Sequence, residues 1–252
     1  MERFSSFDGL SLAYAVAGSE AAGRAVLLHH GFASSARVNW ERPGVVAALV
    51  EAGRRVVAFD ARGHGSSEAP HAPAAYAAGA MARDVSALLD HLGLEQVDMA
   101  GYSMGAFVTV ELAGGATEPR LRSLLLGGIG TAQLLGERPP SETIAAALEA
   151  EDATSVSDPS GRAFRYFADA TGQDRLALAA VQRAWRGVDL EVLGRITQPA
   201  LVVNGHADTL AGDPFAVASL IPGGRALSVP GDHLSAVMKP EFRQAMLDWA
   251  SR

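Results

Sequence analysis

The sequence predicts an α/β protein built on a mostly parallel sheet with helices on both faces. Short apolar runs alternate with longer runs of helical period, which is how strands buried on both sides and their covering helices read. One such run, Val97-Asp98-Met99-Ala100, passes through Gly101-Tyr102-Ser103-Met104-Gly105 straight into the helix-like stretch Ala106 to Ala113. The alternation stops near Thr131 and resumes at Ala200, so about sixty residues interrupt a single sheet.

Taken in order, Arg3 to Phe7 reads as an edge strand, followed by strands at Leu12 to Ala17 and Ala25 to His29. Val45 to Ala52 has helical character, and Arg55-Val56-Val57-Ala58-Phe59 is a buried strand by its β-branched content. From Tyr76 to Leu92, Met81, Val85, Leu88, Leu89 and Leu92 recur at helical spacing, and Gly93 is placed to end that helix. Val97 to Tyr102 and Leu121 to Leu126 are the next strands. Residues 131–190 are polar and helix-prone, with loop signals at Arg138-Pro139-Pro140 and Asp158-Pro159-Ser160-Gly161. An insertion of that length between two strands is expected to form a small helical cap over a site, leaving 1–130 and 191–252 as the core. Strands follow at Ala200 to Val203 and Arg225 to Val229, and Glu241 to Trp249 carries Phe242, Ala245, Met246 and Trp249 on one helical face.

Composition narrows the function. The 252 residues are 48% hydrophobic, enough for a sizeable core, and the formal charge of −7 disfavours a phosphate-backbone partner. No nucleic-acid partner is expected. With no cysteine there is no disulfide, thiolate metal site or cysteine nucleophile. Neither a signal-peptide pattern nor an apolar run near 18 residues is present, so a cytoplasmic protein without a membrane segment is expected. Lys239, the sole lysine, stands beside Pro240 near the C-terminus, a poor place for Schiff-base chemistry. The remaining histidines form no H-E-x-x-H or carboxylate cluster, so no metal is expected, and Gly128-Ile129-Gly130 lacks the third glycine of a dinucleotide loop.

Ser103 stands out because a strand turning abruptly into a helix strains the residue at the turn and leaves its side chain exposed at the sheet end. With 27 glycines in the chain, G-x-S-x-G also arises by chance, and its serine could simply cap the helix. The remaining parts of a hydrolytic site decide between these readings. A serine nucleophile needs a base, usually a histidine, held by a carboxylate. Gly205-His206-Ala207-Asp208 follows the strand at Ala200 and supplies Asp208, while Asp213, before Pro214, reads as a helix N-cap. Pro230-Gly231-Asp232-His233 follows the strand at Arg225 and supplies His233; the adjacent Asp232 is badly placed to orient it. After Ala25 to His29 comes His30-Gly31-Phe32, whose exposed backbone N–H at Phe32 can pair with that of Met104 to hold an oxyanion. His30 is read as bracing that loop, and Asp60 to Ser67 as a tight turn in which Arg62 braces its neighbours. The side chains of Phe32, Tyr102 and Met104 are expected at the substrate, with Tyr102 also supporting the turn. Phe164, Tyr166, Phe167 and Trp185 either face the substrate or pack within the insertion.

These blocks, His30-Gly31-Phe32, Asp60 to Ser67, the turn at Ser103, Gly205 to Asp208 and Gly231 to His233, resemble the α/β-hydrolase superfamily in its single-domain, cap-bearing esterase form. Asp232-His233 departs from the Gly-His of many members but keeps the histidine. The resemblance implies a mostly parallel eight-stranded sheet with a small helical cap, and a Ser103–His233–Asp208 triad needing no cofactor. It also implies a small-molecule substrate, most simply a carboxylic ester. The same triad serves C–C hydrolysis of diketone-like ring-fission products, lactone or thioester hydrolysis, perhydrolysis and hydroxynitrile lyase chemistry. Epoxide hydrolases and haloalkane dehalogenases of this fold carry an aspartate where Ser103 stands. A ligand-binding protein that kept the fold without turnover is the rival from another class. Oligomeric state is not legible.

Overall fold

Strands with apolar residues on both faces belong at the centre of a sheet, and those exposed on one face belong at its edge. The protein follows this rule. A computed structural model describes residues 1–21, 23–115, 118–134, 140–187 and 190–251. Strands β1 (Glu2–Ser5), β2 (Ser11–Ala17), β3 (Ala25–His29), β4 (Val56–Phe59), β5 (Val97–Tyr102), β6 (Leu121–Gly127), β7 (Ala200–Gly205) and β8 (Arg225–Val229) form one sheet in the order β1-β2-β4-β3-β5-β6-β7-β8. The pairs β1/β2 and β2/β4 are antiparallel and the others parallel. Every residue of β3, β4 and β5 is buried, whereas the edge strand β8 exposes three of its five residues and half-covers a fourth, Ala226.

Helices cover both faces. Helix α1 (Val45–Glu51) and the C-terminal helix α9 (Pro240–Ala250) share one apolar layer, in which Trp40, Leu49, Phe242 and Met246 pack on Leu28, Ala100 and Val203. On the other face, α2 (Ala80–His91) and α3 (Met104–Val110) join Leu27, Phe59, Met99 and Leu126 in a larger cluster. Between β6 and β7 lie α4 (Thr131–Leu134), α5 (Ser141–Glu149), α6 (Pro159–Thr171) and α7 (Arg175–Ala184), and α8 (Pro214–Ser219) follows β7. Among the described residues, 131–187 contain no strand, as their polarity predicts. Arg138 and Pro139 lie outside the described residues. The inserted helices have an apolar cluster of their own, Ile144, Leu148, Ala168 and Leu178, which also takes in Ala33 from the core. Among the described residues, no helix is long and apolar enough to cross a membrane.

Two elements differ from the sequence reading. The helix predicted from Tyr76 begins at Ala80, because Gly79 takes φ +80° and Pro73–Tyr76 forms a separate 3-10 turn. The helix after Ser103 starts at Met104, and its last turn, Glu111–Gly115, widens to π geometry.

The loop after β4 is organised by buried charge. Asp60 accepts hydrogen bonds from the N–H groups of Ala36 and Ser66, each 2.8 Å long. Arg62, 1% exposed, grips both oxygens of the equally buried Asp84 at 2.6 Å and reaches Asp8 at 2.9 Å. Removing one partner of such a pair leaves the other charge desolvated, at a cost of about 3–5 kcal/mol. Arg62→Met is therefore expected to lower the urea unfolding midpoint strongly, with partial recovery in the Arg62→Met/Asp84→Leu double variant. An unchanged midpoint in the single variant would remove this cluster from the account of stability.

Candidate active site

Ser103 lies between β5 and α3 with φ +50° and ψ −111°, a conformation that costs a non-glycine residue of order 1–3 kcal/mol. Two glycines permit the turn. A β-carbon on Gly101 would sit 2.2 Å from the carbonyl oxygen of Gly105, and one on Gly105 would sit 2.2 Å from that of His29. Both obstacles are backbone, so neither side can yield. The turn therefore presses α3 against the ends of β5 and β3 and leaves Ser103 half-buried at the carboxyl edge of the sheet.

The structure brings Ser103, His233 and Asp208 together from three different strand ends. His233 Nε2 is 3.0 Å from Ser103 Oγ, and His233 Nδ1 is 2.8 Å from Asp208 Oδ2. A carboxylate only accepts, so Nδ1 carries the proton and Nε2 of the neutral ring is left to accept from the serine hydroxyl. The Asp208 side chain is fully buried, and its second oxygen accepts from the N–H of Ala211 at 2.8 Å. Both carboxylate oxygens are thus held, which fixes the imidazole in turn. Asp213 caps α8 through the N–H of Phe215, as its position before Pro214 predicts. Asp232 turns away from the ring and accepts from the backbone of Leu234 and Ser235 and from the Ser235 hydroxyl; these bonds hold its carboxyl below the usual range.

Two supports of His233 could not be read from spacing. The buried Tyr102 donates its hydroxyl to the His233 carbonyl at 2.7 Å, tying the end of β5 to the loop that carries His233. Gly128, at φ +62°, lets the ring pass: a β-carbon there would stand 3.2 Å from His233 Cε1.

The loop after β3 carries the predicted oxyanion donor. Met104 opens α3, so its N–H has no acceptor within the helix. Among the described residues, the N–H of Phe32 likewise has no hydrogen-bond partner. The loop is held on each side of Phe32. Asn39 Oδ1 accepts from Gly31 N–H at 2.9 Å, and His30 bridges the Gly31 carbonyl (2.8 Å) and the Ala61 N–H (3.0 Å). Beyond Phe32, Ala33 takes φ +56°, and its carbonyl stands 2.9 Å from the hydroxyl of Thr171 at the end of α6, which shares its single proton with the Phe167 carbonyl at 2.7 Å. Asn39 and Thr171 went unnoticed in the sequence, since neither lies in a recognisable motif.

Two cavities meet at Ser103. One, of about 50 Å3, is lined by Met104, Phe107, Ile144, Val181 and Trp185. The other, of about 360 Å3, is lined by Asn39, Tyr102, Phe167, His233, Val237 and Met238. Phe32, Phe164 and Leu210 border both. Phe32, Tyr102 and Met104 thus all line cavity wall, as do Phe164, Phe167 and Trp185 from the insertion, whereas Tyr166 is 77% exposed. Apart from His233 and the phenol of Tyr102, the described residues lining the two cavities include no ionisable side chain, and no Asp, Glu, Lys or Arg is among them.

Comparison with known proteins agrees with this architecture. Residues 24–166 match the family model for the alpha/beta hydrolase fold. A candidate carbamate hydrolase, RutD, of Variovorax paradoxus (strain S110) is 31% identical over 91% of this chain and 92% of its own length. A hydrolase from Pseudomonas aeruginosa PA01 superposes with a TM-score of 0.81 and 29% identity, covering 100% of this chain and 98% of that one. The esterase RhEst1 from Rhodococcus sp. ECU1013 gives 0.79 and 28%, covering 99% and 98%.

Proposed function

The chain belongs to the α/β-hydrolase family, and from that premise we propose that it is a serine hydrolase of small, uncharged carboxylic esters. The observation that carries the reading is the hydrogen-bonded series Ser103–His233–Asp208 opening onto cavities without a charged wall. Ser103 Oγ attacks the carbonyl carbon while His233 Nε2 takes its proton. The carbonyl oxygen becomes an oxyanion, held by the N–H groups of Phe32 and Met104; one such donor contributes on the order of 10²–10³ in rate. Asp208 holds the imidazolium. The proton passes from Nε2 to the departing alkoxide, leaving an alcohol and an acyl-Ser103. A water then repeats the sequence: it loses a proton to His233, attacks the acyl carbon and releases the carboxylic acid and free Ser103. The helices of 131–187 act as a cap that supplies part of the cavity wall.

The uncharged walls also weigh against ring-fission substrates that carry a carboxylate, which would be desolvated without a counter-charge. A carbamate is an acyl compound open to the same attack, so the RutD likeness places carbamate esters beside carboxylic esters in any substrate panel. An alkyl fluorophosphonate tests the reading: stoichiometric labelling, mapped by mass spectrometry to Ser103, is expected. Tight binding of a small ligand with no labelling would instead identify a non-catalytic binder.

A further inference from the structure

A tetrahedral carbon formed on Ser103 has three other substituents, and the site offers three distinct surroundings for them. The oxyanion faces the N–H groups of Phe32 and Met104. The leaving oxygen must come within reach of His233 Nε2, which donates its proton. His233 lines only the large cavity, so the leaving group extends into it. The acyl chain is left with the small cavity, on the Met104 side, walled by Phe107, Ile144, Val181, Gln182 and Trp185.

The two spaces differ about sevenfold, roughly 360 against 50 Å3. On the scale in which one water needs about 10–15 Å3, the small cavity of about 50 Å3 admits roughly three to five non-hydrogen atoms. Part of its wall is aromatic: the Phe107 and Trp185 rings meet edge to face with centroids 5.0 Å apart. The large cavity is apolar, with Phe167, Val237 and Met238 in its wall, and its mouth continues into Leu234 and Met238, which are 60% and 50% exposed. Resting on the serine-hydrolase reading, we propose that the substrates are esters of short acids, two to four carbons long, with bulky, uncharged, apolar or aromatic alcohols. Selectivity then resides in two different sets of residues: Val181 and Trp185 measure the acid, and Phe167, Val237 and Met238 receive the alcohol.

Two ester series test this. Among p-nitrophenyl esters, kcat/KM is expected to be highest between acetate and butyrate and to fall on the order of 10²-fold by octanoate, which overfills the small pocket. Among acetates, 1-naphthyl is expected to be turned over at least as well as methyl. Trp185→Ala, or Val181→Ala should the first fold poorly, is expected to raise the octanoate-to-butyrate ratio about tenfold or more and leave the naphthyl-to-methyl ratio unchanged. Each ratio is measured on one sample, so the fraction of folded protein cancels. A preference for long acids with refusal of naphthyl acetate, or ratios unmoved by both variants, would overturn the assignment while leaving the hydrolase reading intact. Absence of turnover on every ester together with absence of fluorophosphonate labelling would defeat that reading, and this one with it.

Discussion

Ser103→Ala is expected to lower kcat for p-nitrophenyl butyrate by on the order of 10⁵–10⁶-fold, and His233→Ala by a similar factor. The two losses should not add in the double variant, because the hydroxyl and the imidazole act as one unit joined by the 3.0 Å contact between Nε2 and Oγ. Any turnover that remains reflects the N–H groups of Phe32 and Met104 and substrate binding. Asp208→Asn should cost less, on the order of 10⁴-fold, by letting the ring settle in the wrong tautomer. The fold should tolerate all of these: Ser103 caps nothing through its side chain, and relief of its strained φ on replacement by alanine is impossible, so stability should be little changed. Single-turnover and steady-state kinetics with circular dichroism of the same samples check both halves. Residual activity of Ser103→Ala near the wild-type rate would remove it as nucleophile.

Acid unfolding below neutrality is the second large effect expected. His29, His30 and His64 are fully buried around the loop that carries Phe32, with ring centroids 5.7 Å apart for His29 and His30 and 5.2 Å for His30 and His64. Burial pushes His29 down to about 3, His30 to about 4 and His64 to about 3; for His29 and His64 the neighbouring His30 adds to the effect, and Asp60 partly opposes it at His64. Among the described residues, Nε2 of His29 and of His64 has no hydrogen-bond partner that a new charge could use. The sign follows from linkage. Each ring is neutral when folded, but its ordinary value of 6.5 applies in the unfolded chain, which therefore binds more protons as pH falls. Their contribution is whole above about pH 6.5 and shrinks as pH falls towards the folded values near 3–4. Each proton takes about 1.4 kcal/mol per pH unit, so the three together take about 4 in the middle of that window. Two pH units thus remove an amount comparable with the whole stability of a typical domain. Unfolding followed by circular dichroism should show cooperative loss between roughly pH 4 and 5. His64→Gln should make that loss shallower by about a third, if the variant folds at neutral pH. A wild-type protein still folded at pH 3.5 would contradict the argument.

Much of the core was legible because its buried strands are short runs of β-branched and aliphatic residues bounded by glycine or polar turns, as Val56–Phe59 and Ala25–His29 show. The boundaries that moved did so for local reasons invisible to periodicity. Gly79 interrupts an amphipathic pattern that runs on through Tyr76, and only its backbone conformation decides where α2 starts. Ser103, Asp208 and His233 could be picked out because each follows a strand and stands beside a glycine at the same sheet edge. Their supports could not. Tyr102 and His233 are 131 residues apart, and Thr171 and Ala33 are 138 apart; nothing in either neighbourhood announces the other. Such bonds are products of how layers stack, so they become visible only once the layers have been put in place.

The hydroxyl of Thr171 has one further consequence. It anchors a helix of the insertion to the peptide next to Phe32, at a residue already forced to positive φ. Ile144, Leu148 and Ala33 lie in one apolar cluster as well. The inserted helices and the loop that carries Phe32 are thus mechanically fused in this chain, not joined like interchangeable parts. Replacing the inserted helices with foreign ones, however well they fitted a new substrate, is expected to loosen the peptide that carries Phe32, and with it the turnover proposed above, until that contact is rebuilt.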